Sequence, residues 1–143
     1  MALSRTEREQ FLSEPHVAAF AVSAGADGER APLTVPIWYQ YAPGGDLWIM
    51  TGRDSRKAEL IGSAGRFTLM VDRLKPTIRY VSVEGPVIST APARREQLVE
   101  IASRYLPAEK VDGYVDFAWK DHGAQLVFHM RPQRWVSSDL GQV

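Results

Sequence analysis

Residues 47–64 constrain the fold more than any other stretch of this chain. Leu47, Ile49 and Thr51 alternate with Trp48 and Met50, which is the period of a strand. Gly52 ends the alternation. Asp54 and Ser55 are both good helix N-caps, and Ala58, Leu60, Ile61 and Ala64 follow at helical spacing. A strand that turns directly into a helix leaves the first N–H groups of that helix unpaired and gathers positive potential there. The turn adds the Ser55 hydroxyl and the cations Arg53, Arg56 and Lys57. Backbone donors, a hydroxyl and cations at one point make a site for an anion, most naturally a phosphate. The same cations also fit an ordinary solvated helix start. Against that, a helix N-terminus disfavours cations, so this cluster is locally costly unless an anion offsets it.

The charge distribution supports the anion reading. Lys plus Arg and Asp plus Glu are equal at 17 each, so net charge points to neither nucleic acid nor a membrane. Yet residues 53–79 carry seven cations against three anions, and the chain on either side is acidic or nearly neutral. There are no cysteines, which excludes disulfides, thiolate metal sites and cysteine nucleophiles. His16, His122 and His129 are scattered without metal-ligand spacing, so no metal site is expected. No Gly-x-Ser-x-Gly elbow suggests a hydrolase. No apolar run approaches the ~18 residues of a membrane span and no apolar leader is visible, so the expectation is a cytoplasmic protein.

The 143 residues predict one domain, 1–143. The pattern gives a short helix over 4–13 and a strand over 16–23. A hairpin-type turn at Gly25-Ala26-Asp27-Gly28 leads to a second strand over 31–41. Pro32 and Pro36 cannot donate to a ladder, so that strand has an open side or a bulge. The strand of 47–52 and the helix of 54–64 follow, with Gly65 as helix stop. Further strands begin at Phe67 and span 78–90, with a bend at Gly85-Pro86. Helices are expected from Pro92 to Tyr105 and from Pro107 to about Trp119. A last strand runs from Ala124 to Met130, with Trp135-Val136 as a possible extension. Six short antiparallel strands with bends at Pro36 and Gly85 predict a mainly β protein, a small barrel with flanking helices.

Three stretches resemble one family in the same order and spacing. Thr51-x-x-x-Ser55-Arg56-Lys57 resembles the phosphate-binding turn of the pyridoxamine 5′-phosphate oxidase-like, FMN-binding split-barrel superfamily. Thr34-Val35-Pro36-Ile37-Trp38-Tyr39 resembles its preceding strand, and Tyr80-Val81-Ser82-Val83-Glu84-Gly85 its later strand ending in glycine. The Pro36-Ile37-Trp38-Tyr39 run resembles the branch that includes reductases dependent on the deazaflavin coenzyme F-420. The resemblance implies a six-stranded antiparallel split barrel and a homodimer with cofactor sites at the subunit interface. It implies that Ser55, Arg56 and Lys57 hold a cofactor phosphate and that Met50 and Thr51 lie near the ribityl chain or ring. Val35, Pro36, Ile37 and Trp38 would contact the ring, and Tyr80 would contact the cofactor from the later strand.

The implied function is an oxidoreductase using F-420 or FMN to reduce a small conjugated or aromatic molecule. No catalytic side chain is expected, because in hydride transfer the cofactor carries the chemistry. The basic surplus favours F-420 slightly, with Arg73, Lys75 and Arg79 as a rim for its anionic tail. The family's vitamin B6 oxidases end in Arg-Leu-x-Pro, whereas this chain runs Trp135-Val136-Ser137-Ser138-Asp139-Leu140 near its end, which argues against pyridoxine 5′-phosphate as substrate. The alternatives are a flavin or F-420 carrier without turnover, a haem or tetrapyrrole binder using His16 or His129, and a barrel without ligand.

Overall fold

The computed structural model describes residues 1–25 and 28–141. The chain opens with helix α1 (Arg5–Ser13), capped by a reciprocal pair in which Ser4 and Glu7 bond each other's backbone N–H. Strands β1 (Ala18–Val22), β2 (Leu33–Ile37), β3 (Tyr39–Tyr41) and β4 (Leu47–Gly52) follow, then α2 (Arg56–Ala64). Next come β5 (Arg66–Arg73), β6 (Arg79–Pro92), α3 (Arg95–Tyr105), α4 (Ala108–Asp121), β7 (Gln125–Met130) and β8 (Arg134–Asp139). Every strand pair is antiparallel. The order is β2-β1-β5-β6-β7-β4-β3, with β8 added beside β6. Its two ends, β2 and β3, are consecutive halves of one run broken at Trp38, so the sheet curls back on itself as a split barrel.

Eight strand segments therefore stand where six were expected. One arises because the strand of 31–41 bends at Trp38 and divides into β2 and β3. The other is β8, which is a strand in its own right along the first half of β6, not an extension of β7. β6 is the other bent strand. It pairs with β5 up to Pro86 and with β7 from Val87, and its register shifts between Val87 and Ser89. The bend at Gly85-Pro86 is thus where one long strand passes between the two halves of the barrel. Pro92 ends β6 and does not start the helix, which begins at Arg95. The turn expected at residues 25–28 falls partly on 26 and 27, which lie outside the described residues. Among the described residues β2 pairs with β1 alone, so its outer edge is open, as Pro36 favours.

Two apolar cores hold the fold. The inner one fills the barrel with Phe20, Tyr39, Leu47, Ile49, Leu69, Val81 and Met130 and is plugged by Phe11 and Leu12 of α1. Tyr39 is fully buried, and its hydroxyl donates to the carbonyls of Leu12 (2.5 Å) and Glu14 (3.0 Å). Burial, with Tyr105 nearby, pushes its phenol well above the ordinary range. The outer core lies under the α3–α4 hairpin. Leu98, Ile101, Val111, Val115 and Ala118 bury Trp48 and Val127 there. Trp48 is therefore a packing residue.

Two of the three cations expected in the basic rim, Arg73 and Arg79, are engaged inside the fold, while Lys75 is exposed. Asp139 is fully buried and collects these two arginines. Arg79 donates to it at 2.8 and 2.9 Å, Thr77 at 2.9 Å, and Arg73 lies 3.6 Å away while bonding Thr77. Burial alone pushes the Asp139 carboxyl up. The Thr77, Arg79 and Gly141 hydrogen bonds and the Arg79 charge outweigh this and hold it below the usual carboxylate range. A depressed folded pKa stabilises at pH values above the unfolded carboxylate pKa of about 3.9, and that contribution is lost as pH falls through the folded value. Unfolding midpoints measured from pH 7 to pH 2 are expected to fall in acid partly through this group. Asp139→Asn should be less stable at neutral pH and show a shallower acid loss. Parallel acid slopes in the two proteins would overturn the assignment.

Candidate functional site

The β4–α2 turn forms as its sequence requires. Ser55, not Asp54, is the N-cap of α2. Its hydroxyl accepts from the N–H of Ala58 (3.2 Å) and donates to the carbonyl of Gly52 (2.7 Å). Thr51 is buried beneath, with its hydroxyl oxygen 3.4 Å from that of Ser55. Both hydroxyls thus shape the turn. The N–H groups of Arg56 and Lys57, at the first helical positions, have no intrahelical acceptor. The three cations differ. Arg53 and Arg56 are exposed and lie 3.6 Å from Asp54 and Glu59 respectively. Lys57 is half-buried and has no ion-pair partner among the described residues.

Lys57 faces a cavity of about 610 Å³. Pro36, Ile37 and Trp38, at the break between β2 and β3, form one wall with Val17, and Met50 on β4 adds to it. Five residues singled out from the sequence therefore meet here: Pro36, Ile37, Trp38, Met50 and Lys57. The break is held by Tyr105, whose hydroxyl donates to the carbonyl of His16 (2.8 Å) and accepts from the N–H of Tyr39 (3.2 Å). The Trp38 ring stacks on Tyr105 with centroids 4.8 Å apart and planes 10° from parallel, and it meets Tyr114 at 5.5 Å. This aromatic wall is fixed before any ligand arrives. It is apolar and flat, and a single cation stands at the cavity's polar end.

The other sequence-singled residues do not line this cavity. Val35 lines a separate shallow groove on the outer face of β1 and β2. Thr51 and Ser55 are inside the turn, and Arg56 points to solvent. Tyr80 sits on β6 between Asp72 of β5 and Ser138 of β8, and lines none of the cavities described here. His16 bonds the carbonyl of Phe11 (3.0 Å) and packs on its ring, and His129 packs against Trp48, so neither faces the cavity. Among the described residues no cluster of His, Asp and Glu could hold a metal ion.

The opposite wall was not legible in the sequence. Leu98 and Ile101 of α3, Tyr114 of α4, the exposed His122 that caps its C-terminus, and Gln125 of β7 complete the cavity. The amphipathic pattern of α3 shows an apolar face but not what that face covers. Gln125 arrives because β7 pairs with β4, setting Gln125 opposite Gly52. Its side-chain amide donates to the carbonyl of His122 (2.9 Å), and the N–H of Arg53 donates to the carbonyl of Ala124 (2.9 Å). The 122–125 turn is thereby tied to the turn that carries Lys57.

The family model for pyridoxamine 5′-phosphate oxidase matches residues 5–138. No curated protein matches the sequence. A solved F-420 reductase is 21% identical, with 90% of this chain and 94% of that one covered at a TM-score of 0.68. A conserved hypothetical protein from Mycobacterium tuberculosis is 22% identical, with coverage of 97% and 86% and a TM-score of 0.69. An FAD-binding protein from Mesorhizobium loti is 18% identical, with coverage of 97% and 95% and a TM-score of 0.62. At these identities the structural likeness establishes the fold alone. No helix among the described residues is long and apolar enough to cross a membrane.

Proposed function

The chain belongs to the pyridoxamine 5′-phosphate oxidase family, and from that premise we propose that it is an oxidoreductase using a flavin or deazaflavin bound in the 610 Å³ cavity. The observation that carries the reading is the meeting of a flat aromatic wall with one unpaired, half-buried lysine. Lys57 and the N–H groups at the start of α2 would hold the phosphate. The backbone and side chains of 36–38, with Met50, would hold the ring. The cofactor supplies the hydride chemistry. The chain's part is to orient the ring against Trp38, exclude water with Leu98 and Ile101, and leave room for a small conjugated or aromatic substrate. The bonds of Tyr105 to His16 and Tyr39 keep the break at Trp38 in position throughout.

The surplus of cations favours F-420 over FMN less than expected, because Arg73 and Arg79 are committed to Asp139 and Arg66 to Gln133 and Glu84, leaving Lys75 of the expected rim. Both cofactors present a phosphate to the same turn. We also propose a homodimer. Val17 and Pro36 belong both to the cavity and to the groove on the outer face of β1 and β2, so a second copy on that face would close the cavity's open side. Titration of the purified protein with FMN and with F-420 tests the reading. At least one should bind with one equivalent per protomer, and the bound form should pass hydride to a quinone or similar acceptor. Binding without turnover would make the protein a carrier. Binding of neither would sink the cofactor assignment.

A further inference from the structure

A second cleft lies at the other end of β3 and β4, between α1, the 42–46 turn and the 131–135 connection. It encloses about 260 Å³ and shares no lining residue with the larger cavity. At its centre is Arg8, whose guanidinium carbon lies 4.6 Å from the centroid of the Trp135 ring. Arg8 is half-buried, and its Nε is fully buried with no hydrogen-bond partner. Among the described residues no carbonyl or carboxylate accepts from this side chain.

The surrounding charges are already matched. Arg5 pairs with Glu9 (3.6 Å) and Arg131 with Asp46 (3.8 Å). The cleft therefore holds two carboxylates, two cations that answer them, and one cation left over. Arg104 offers a direct contrast. Its Nε is also buried and unpartnered, but its terminal nitrogens donate to Gln40 (2.8 Å), Ser13 (3.2 Å) and Glu14 (3.3 Å). Arg8 alone of the two has terminal nitrogens with no acceptor among the described residues, and these open into the cleft while its Nε is buried. Buried polar groups are costly unless they are hydrogen-bonded, a charged one most of all. A guanidinium seated over an indole ring has its position restrained, and its planar fork can grip an oxyanion with two parallel bonds.

We propose that the cleft between α1, the 42–46 turn and Trp135 binds a small oxyanion, a carboxylate or a phosphate, in the fork of Arg8 with Arg5 and Arg131 at its rim. The site is independent of the cofactor cavity, so it stands or falls separately from the proposed function. The test is a titration of the full chain, labelled with nitrogen-15, with inorganic phosphate and separately with acetate. Ionic strength is held constant with chloride. The Arg8 Nε–H signal, identified by its absence in Arg8→Gln, and the Trp135 indole signal should shift and saturate. Saturation with phosphate alone assigns a phosphate, and saturation with acetate alone a carboxylate. The Trp135 shift in Arg8→Gln should need at least ~10-fold more anion. No saturating shift with either anion, or equal affinity in Arg8→Gln, overturns the site. Should Arg8→Gln fail to fold, Arg8→Lys keeps the charge and loses the fork, and unchanged affinity there overturns the proposal equally. FMN titration of the same variants should match the wild type.

Discussion

Gly85→Ala is expected to lower the unfolding midpoint by roughly 10 °C or to prevent folding altogether. A Cβ at this position would stand 1.8 Å from the carbonyl oxygen of Arg131, 2.8 Å from its carbon and 3.1 Å from the sulfur of Met130. The first two are backbone atoms and cannot swing aside. They are held in place because the 131–133 connection crosses β6 at this point, with the N–H of Arg131 bonded to the Pro86 carbonyl (3.0 Å) and that of Gln133 to the Glu84 carbonyl (2.9 Å). Relief requires β6 and the β7–β8 connection to separate, which breaks the joint between the two halves of the barrel. Overpacking typically costs 1–3 kcal/mol, and a backbone clash belongs at or above the upper end. For a domain of this size about 3 kcal/mol corresponds to roughly 10 °C. Gly62→Ala is the control. Gly62 is exposed in α2 with nothing within 4 Å of its would-be Cβ, so the change should stabilise by up to ~1 kcal/mol. Thermal unfolding of both variants checks the pair. A Gly85→Ala protein with a midpoint near wild type would mean that the crossing is loose.

The elements legible in the sequence were those set by local chemistry. β4, Gly52 and α2 lie where period, glycine and cap place them, because each is decided within a few residues. The bend at Gly85-Pro86 and the open edge of β2 were legible for the same reason. The division at Trp38 was legible only as a bend expected at Pro36, not as a full break of the strand. Leu33 to Tyr41 alternates without interruption, and what breaks the strand is a hydroxyl from Tyr105, far along the chain. Two of the three rim cations were misread in the same way. Arg73 and Arg79 read as free surface charges until β8 brings Asp139 between them. The half of the cavity made from residues near one another in sequence was found, and the half contributed by α3, α4 and β7 was not. Helix periodicity tells that Leu98 and Ile101 face something apolar. Only the docking of the hairpin on Trp48 decides that part of this face looks into a cavity.

The double variant Arg56→Ala/Lys57→Ala is expected to weaken FMN binding at least ~100-fold, and F-420 binding likewise if that cofactor binds, with the fold intact. Hydrogen bonds to charged groups contribute about 1.5–3 kcal/mol each, and two such losses reach that factor. The two residues should not contribute equally. Lys57 is half-buried, faces the cavity and has no ion-pair partner among the described residues, so a phosphate there answers its charge. Arg56 is exposed and already lies 3.6 Å from Glu59. Lys57→Ala alone should therefore cost more than Arg56→Ala alone, and the reverse order would show that the phosphate sits outside the cavity. Stability should change little, because the Arg56–Glu59 pair is a surface pair worth under ~1 kcal/mol. Riboflavin separates phosphate recognition from ring recognition. It has the ring and ribityl chain of FMN but no phosphate, so its weaker binding should be nearly indifferent to Lys57→Ala. Trp38→Ala should instead weaken riboflavin and FMN by similar factors, since Trp38 and its partner Tyr105 form the flat wall. Fluorescence titration of both ligands against the four variants reads all of this at once. Riboflavin and FMN losing affinity equally in Lys57→Ala would place Lys57 against the ring and leave the phosphate without its cation.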